Sequence, residues 1–127
     1  MGNERNFFKC SICGNIVGLI ENGGGKLVCC GKPMDALIPN TVDAALEKHV
    51  PVGVFEGGKL KVTVGSVPHP MTPEHHISWI LVAKGNLTER MALDPAGSPE
   101  ATFEVEEGPV TIYEYCNIHG LWQADIQ

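Results

Sequence analysis

No run of basic residues occurs anywhere in the 127-residue chain; Lys and Arg number 9 against 15 Asp and Glu, a net charge of −6. Nucleic-acid binding needs a positive stripe to displace counterions from phosphate, so the composition argues against such a partner. Long apolar stretches are missing too. The longest, Ile77 to Ala83, is interrupted by Ser78 and falls far short of the ~20 residues a membrane-spanning helix requires. The first residues, Met1-Gly2-Asn3-Glu4-Arg5-Asn6, lack the basic and apolar regions of a secretory signal. Asn6 stands where a myristoylation motif carries Ser or Thr. The expected compartment is therefore the cytoplasm. There is no internal repeat or low-complexity tract, and no cysteine between Cys30 and Cys116.

The five cysteines are thus divided four and one. Without a secretion signal the cellular redox balance keeps thiols reduced, so metal ligation is the better reading than disulfides. Cys10-Ser11-Ile12-Cys13 and Cys29-Cys30, each followed by glycine, read as two ligand pairs of a tetrahedral four-thiolate site. A tight turn at Gly14 or Gly31 lets backbone amides point at sulfur while both thiolates face one ion. Spacing alone leaves zinc and iron level. The adjacent Cys29-Cys30 pair must be bent to bind one ion, which tilts the balance slightly towards iron. Asn15 to Ile20 and Lys26 to Val28 flank Glu21-Asn22-Gly23-Gly24-Gly25, a hairpin signal. So short a segment cannot bury enough apolar surface to fold alone, and the metal serves as its core.

Beyond a connector at Asp35 to Lys48, with Thr41 placed to cap a short turn over Val42 to Leu46, the chain reads as all-β. Val50 to Phe55 and Leu60 to Val64 form a hairpin around Gly57-Gly58. Ile77 to Lys84 and Leu87 to Leu93 form another around Gly85-Asn86. Ala101 to Glu106, Val110 to Tyr115 and Leu121 to Ala124 complete seven short strands, the signature of an immunoglobulin-like sandwich. Ile77 and Trp79 are expected on one strand face, as are Tyr113 and Tyr115.

Every remaining chemistry-bearing residue falls at a strand edge or in a loop, where a sandwich presents functional side chains. His49 precedes the first strand, and His69 and His75 bracket a proline-rich loop. Cys116-Asn117-Ile118-His119 closes the last long strand. His76, next to His75 on an extended segment, points the other way and is read as a non-ligand. One soft thiolate among several imidazoles describes a transition-metal centre for redox chemistry. Taken singly, a loop histidine is usually solvated and a strand-end cysteine usually a small buried hydrophobe. Their joint arrangement lowers both readings. Trp122 follows the turn and is placed to pack over the site; Met71 reads as packing.

Glu47-Lys48-His49, the His69-Pro70-Met71 loop ending in His75, and Cys116-Asn117-Ile118-His119-Gly120 together resemble superoxide reductase. With Cys10-x-x-Cys13 and Cys29-Cys30 the chain is similar to desulfoferrodoxin, the two-iron form of that family. His76 departs from the aromatic residue often found there, and the family pattern favours His75 as the ligand. The resemblance implies a four-cysteine iron domain at 1–37 and a β-sandwich domain at 38–127. It implies an iron held in the second by the imidazoles of His49, His69, His75 and His119, with the Cys116 thiolate axial and the sixth position open. The implied activity is one-electron reduction of superoxide to hydrogen peroxide, with external electrons from a small rubredoxin-type donor. A homodimer is also implied. Glu47 would occupy the open position after peroxide leaves, and Lys48 would supply local attraction for the anionic substrate in a chain of negative net charge.

Three rivals remain at this level. A blue-copper-like carrier shares the distant histidine and the Cys-x-x-His, but no methionine follows His119 and the surplus imidazoles have no role. A superoxide dismutase would need superoxide itself to re-reduce the metal. A non-catalytic ribbon protein would carry one zinc.

Overall fold

The computed structural model describes residues 7–40, 49–65 and 69–126. The chain divides into two units, Met1–Pro39 and Asn40–Gln127. All twelve elements among the described residues are strands.

The first unit is built from five very short strands: β1 (Phe7–Lys9), β2 (Ile16–Gly18), β3 (Val28–Cys29), β4 (Lys32–Pro33) and β5 (Asp35–Ala36). β1 pairs with β2 on one side and β5 on the other, and β3 pairs with β4. The expected hairpin across Glu21 to Gly25 is not formed. Each cysteine pair instead sits at the turn of its own hairpin, β1–β2 around Cys10–Cys13 and β3–β4 around Cys30-Gly31. The physical reason is that a metal knuckle is itself a tight turn and fixes pairing locally, whereas five exposed residues from Glu21 to Gly25 have no such constraint. Asp35–Ala36, expected in the connector, adds a third strand to β1. Among the described residues of this unit only Phe7 and Cys10 are buried.

The second unit is a two-layer sandwich of β6 (Pro51–Glu56), β7 (Lys59–Val64), β8 (Ile77–Lys84), β9 (Leu87–Ala92), β10 (Glu100–Phe103), β11 (Val110–Cys116) and β12 (Gly120–Ile126). One layer has the order β10-β7-β6 and the other β12-β11-β8-β9. These are the seven strands expected, within a residue or two at most ends; β10 stops at Phe103, short of Glu106. In β7, Leu60, Val62 and Val64 are fully buried while Lys59 and Lys61 face solvent, the period-two pattern of a half-buried strand. They meet Ile80 and Val82 of β8, Phe103 of β10 and Ile112 of β11 in one core. The two layers approach so closely at Gly53 that a Cβ there would stand 2.4 Å from Ile126 Cδ1 and 2.8 Å from Ile112 Cδ1.

One expectation about strand faces is corrected. Tyr115 pairs with Trp79 and Cys116 with Ile77, so Ser78 is an extra residue and the ladder shifts register there. This bulge turns Ile77 into the core, fully buried, while Trp79 stacks on Tyr115 with ring centroids 6.0 Å apart. Among the described residues no helix is long and apolar enough to cross a membrane. The expected turn at Thr41 to Leu46 lies outside the described residues.

Candidate metal centres

In the first unit four sulfurs converge. The ligand atoms of Cys10, Cys13, Cys29 and Cys30 all lie within 4.8 Å of one another, and all four are free thiols. Cys13 Sγ is 3.6 Å from Cys29 Sγ, which is 4.0 Å from Cys30 Sγ. Bonds of ~2.3 Å from one tetrahedral ion would separate its sulfurs by ~3.8 Å, so the cluster has the size of an ion's coordination shell. The backbone amides of Ile12 and Cys13 both donate to Cys10 Sγ at 3.4 Å. Those amides, Cys13's first, bring the Cys10 thiol down to about 6. Neighbouring sulfurs work in the opposite sense on Cys29, which is raised, and on Cys30, which is pushed up to about 12. A cation between the four sulfurs would offset the mutual repulsion of their thiolates. The adjacent pair faces one point because Cys30 (φ 54°) and Gly31 (φ 76°) are both left-handed, the two-residue turn that twists a hairpin most tightly. A non-glycine residue rarely adopts that conformation, and it marks a site where geometry has been imposed.

In the second unit the loops at one end of the sandwich carry four imidazoles and a thiol. His49 lies just before β6, His69 and His75 between β7 and β8, Cys116 at the end of β11, and His119 in the turn to β12. Antiparallel pairing brings these ends together: Pro51 opposes Val64, and Cys116 opposes both Ile77 and Gly120. The rings run in the cyclic order His49, His69, His75, His119. Successive centroids are 4.7, 4.7, 5.2 and 4.7 Å apart and adjacent planes are nearly perpendicular. The His49–His75 diagonal is longer, at 6.4 Å. The four rings thus form a square.

Their nitrogens point inward. His49 Nε2 is 3.0 Å from His119 Nδ1 and 3.3 Å from His69 Nε2. Bonds of ~2.1 Å at right angles from one ion leave neighbouring nitrogens ~3.0 Å apart, so this square also fits a metal. The ligand atoms of His49, His75, His119 and Cys116 lie within 4.8 Å of one another, and His69 joins through its contact with His49. Cys116 Sγ is 3.8 Å from His119 Nδ1 and accepts the His119 amide at 3.4 Å.

The surroundings prepare these ligands. His69 Nδ1 lies 2.7 Å from the Pro70 carbonyl, which holds the proton on Nδ1 and leaves the Nε2 lone pair facing the square. Burial brings His69 down to about 4, against the opposing pull of that carbonyl, with the other three imidazoles adding to the depression. It is a neutral imidazole at physiological pH. Burial also raises the Cys116 thiol, while the amides of His119 and Ile118 oppose the rise. His76 turns away: its Nδ1 is 2.9 Å from the Thr72 carbonyl. Glu47 and Lys48 lie outside the described residues.

The chain matches the desulfoferrodoxin family model over residues 41–125 and the model of the desulfoferrodoxin N-terminal domain over residues 2–37. It belongs to the desulfoferrodoxin family. A desulfoferrodoxin of Syntrophotalea carbinolica is 48% identical over 125 residues, covering 98% of this chain and 99% of the relative. The superoxide reductase of Pyrococcus horikoshii is 39% identical, covering 64% of this chain and 87% of its own. The crystal structure of the superoxide reductase from Treponema pallidum superposes with a TM-score of 0.77 at 37% identity, covering 96% of this chain and 99% of that one. The two donor sets, four sulfurs and four imidazoles with one thiol, match the two iron centres of desulfoferrodoxin.

Two residues at the second centre were not singled out from sequence. Glu114 is fully buried, with neither carboxylate oxygen hydrogen-bonded, and burial pushes its carboxyl up to about 9. Alternation along β11 was the available signal, since it puts Glu114 on the face of Ile112 and Cys116. Asn117 carried no signal at all: its partners are 41 and 43 residues away.

Proposed function

We propose that this chain is a superoxide reductase, adding one electron and two protons to superoxide to give hydrogen peroxide and drawing the electron from an external rubredoxin-type donor. The observation that carries the reading is the square of four inward-facing imidazoles with one buried thiol off to its side. Iron bound there supplies the one-electron reductant. His49, His69, His75, His119 and Cys116 would hold it. Neutral imidazoles add no charge to the centre, and a thiolate is the one anionic donor in the set. The Cys116 sulfur, held by the His119 amide, aims that donor along a fixed direction.

Lys48 and Glu47 belong to this reading through their place beside His49. The net charge of −6 repels superoxide at long range, but screening over ~8 Å leaves the local field in control, and Lys48 is the cation nearest His49 in sequence. Glu47, two residues before His49, would supply a further carboxylate donor to the iron. The four-cysteine domain at 1–37 would hold the second iron, and the sandwich at 38–127 the catalytic one. A cytoplasmic homodimer completes the reading.

A blue-copper-type carrier fits less well. Its site takes two histidines, a cysteine and a weak axial methionine. Here four imidazoles share the centre, and the Met71 sulfur accepts the amide of Ile77 at 3.3 Å.

Rapid mixing of the reduced, metal-analysed protein with superoxide tests the reading. Expected are about two irons per chain, one peroxide per superoxide, and turnover that stops without a donor. Oxygen release with sustained donor-free turnover would make the protein a dismutase; copper or a single zinc would remove the activity altogether.

A further inference from the structure

Asn117 sits in the turn between Cys116 and His119, yet its backbone N–H and both polar atoms of its side chain reach across to the loop that carries His75. Its Oδ1 accepts the backbone N–H of His76 at 2.8 Å, and its Nδ2 donates to the carbonyl of Glu74 at 3.0 Å. Its own backbone N–H donates to the carbonyl of His76 at 3.1 Å. The residue before His75 and the residue after it are therefore both fastened to the turn that supplies two other members of the centre.

The loop end is already stiff within itself. The His75 amide reaches the Thr72 carbonyl at 3.2 Å and Thr72 Oγ1 at 3.1 Å, and the Thr72 amide returns to the His75 carbonyl at 3.0 Å. The His76 ring closes the bracket against the Thr72 carbonyl. Asn117 ties this bracket to the turn that carries Cys116 and His119.

We propose that Asn117 is a positioning residue, a three-bond clasp that sets His75 against Cys116 and His119 and so controls how firmly the second centre holds its metal. The inference rests on the metal reading of that centre. Displacing His75 relative to the turn opens one corner of the square, because His75 stands next to His119 in the ring order. Partners that orient ligands from behind typically govern 10–100-fold in metal affinity. Alanine at 117 keeps only the backbone bond. Aspartate keeps the acceptor for His76 but sets its second oxygen against the Glu74 carbonyl, replacing that bond with a repulsive contact.

The test uses the full chain loaded with iron at both centres, as wild type, Asn117→Ala and Asn117→Asp, challenged with an iron chelator. The four-cysteine centre serves as an internal control. Release from the His/Cys centre is expected to be 10–100-fold faster in the alanine variant, with a shifted Cys116 thiolate-to-iron absorption and an unchanged rate at the four-cysteine centre. The aspartate variant should also release iron faster than wild type, and it carries the same readout if the alanine variant does not fold. Unchanged release at the His/Cys centre, or equal acceleration at both centres, overturns the proposal. Wild-type protein that holds iron at the four-cysteine centre alone would instead overturn the metal reading itself.

Discussion

Trp122 lies flat against His49, ring centroids 5.0 Å apart and planes 23° from parallel, and is itself completely buried. The indole is both a piece of the sandwich interior and the wall that fixes one edge of the imidazole square. Trp122→Ala should cost about 3–5 kcal/mol of stability and reduce iron at the His/Cys centre. Trp122→Phe keeps an aromatic face and removes an indole N–H that has no hydrogen-bond partner, so its cost should stay below ~2 kcal/mol. Thermal unfolding and iron per chain measure both effects. Equal iron content in all three proteins would show that the stacking does not orient His49.

Lys48→Ala is expected to slow the encounter of reduced protein with superoxide about ten-fold and to flatten its dependence on ionic strength. Stopped-flow rates at low and high salt measure this. Identical rates for wild type and variant at both salts would leave Lys48 with no steering role.

Glu114 links stability to pH. Its carboxyl is raised to about 9 in the folded chain from the ordinary carboxylate range when unfolded. Folding therefore keeps a proton that the unfolded chain releases. That contribution is complete below the unfolded value and is lost as pH rises towards 9, at about 1.4 kcal/mol per pH unit. Between pH 6 and 8.5 the wild type should lose stability relative to Glu114→Gln, which has no proton to release. Denaturant midpoints across that range report the difference, and parallel curves would mean that the carboxyl has found a partner.

Stripping the metals should separate the two units. Within Met1–Pro39 only Phe7 and Cys10 are buried among the described residues, whereas the sandwich has a continuous core from Leu60 to Ile112. A unit without a core depends on its ion for folding free energy. Amide exchange after chelation should show full loss of protection over residues 7–37 and retained protection in β7, β8 and β11. Persistent protection in the cysteine hairpins would show that they fold without metal.

The cysteine pattern was legible because a knuckle is local. Cys10 and Cys13 are three residues apart, and two backbone amides complete the motif within the same turn. Strand positions were legible for a similar reason, since Lys59-Leu60-Lys61-Val62 declares its buried face by alternation. Sequence pattern and structure part where a nonlocal bond chooses between equivalent local options. Glu21 to Gly25 reads as a turn, yet pairing went to the hairpins that contain the thiols. Ile77 and Trp79 share a face by alternation, but the bulge at Ser78 separates them.

By itself the sequence determined which residue types were present in metal-binding proportion, which stretches alternate, and how two cysteine pairs turn. Tertiary structure decided that residues 49, 69, 75 and 119 close into one square, that Cys116 faces it from within the core, and that Asn117 ties His75 to the Cys116 turn. The reason is physical. A coordination shell is set by distances of a few ångströms between atoms tens of residues apart, and only the antiparallel register of β6, β7, β8, β11 and β12 brings those strand ends to one place.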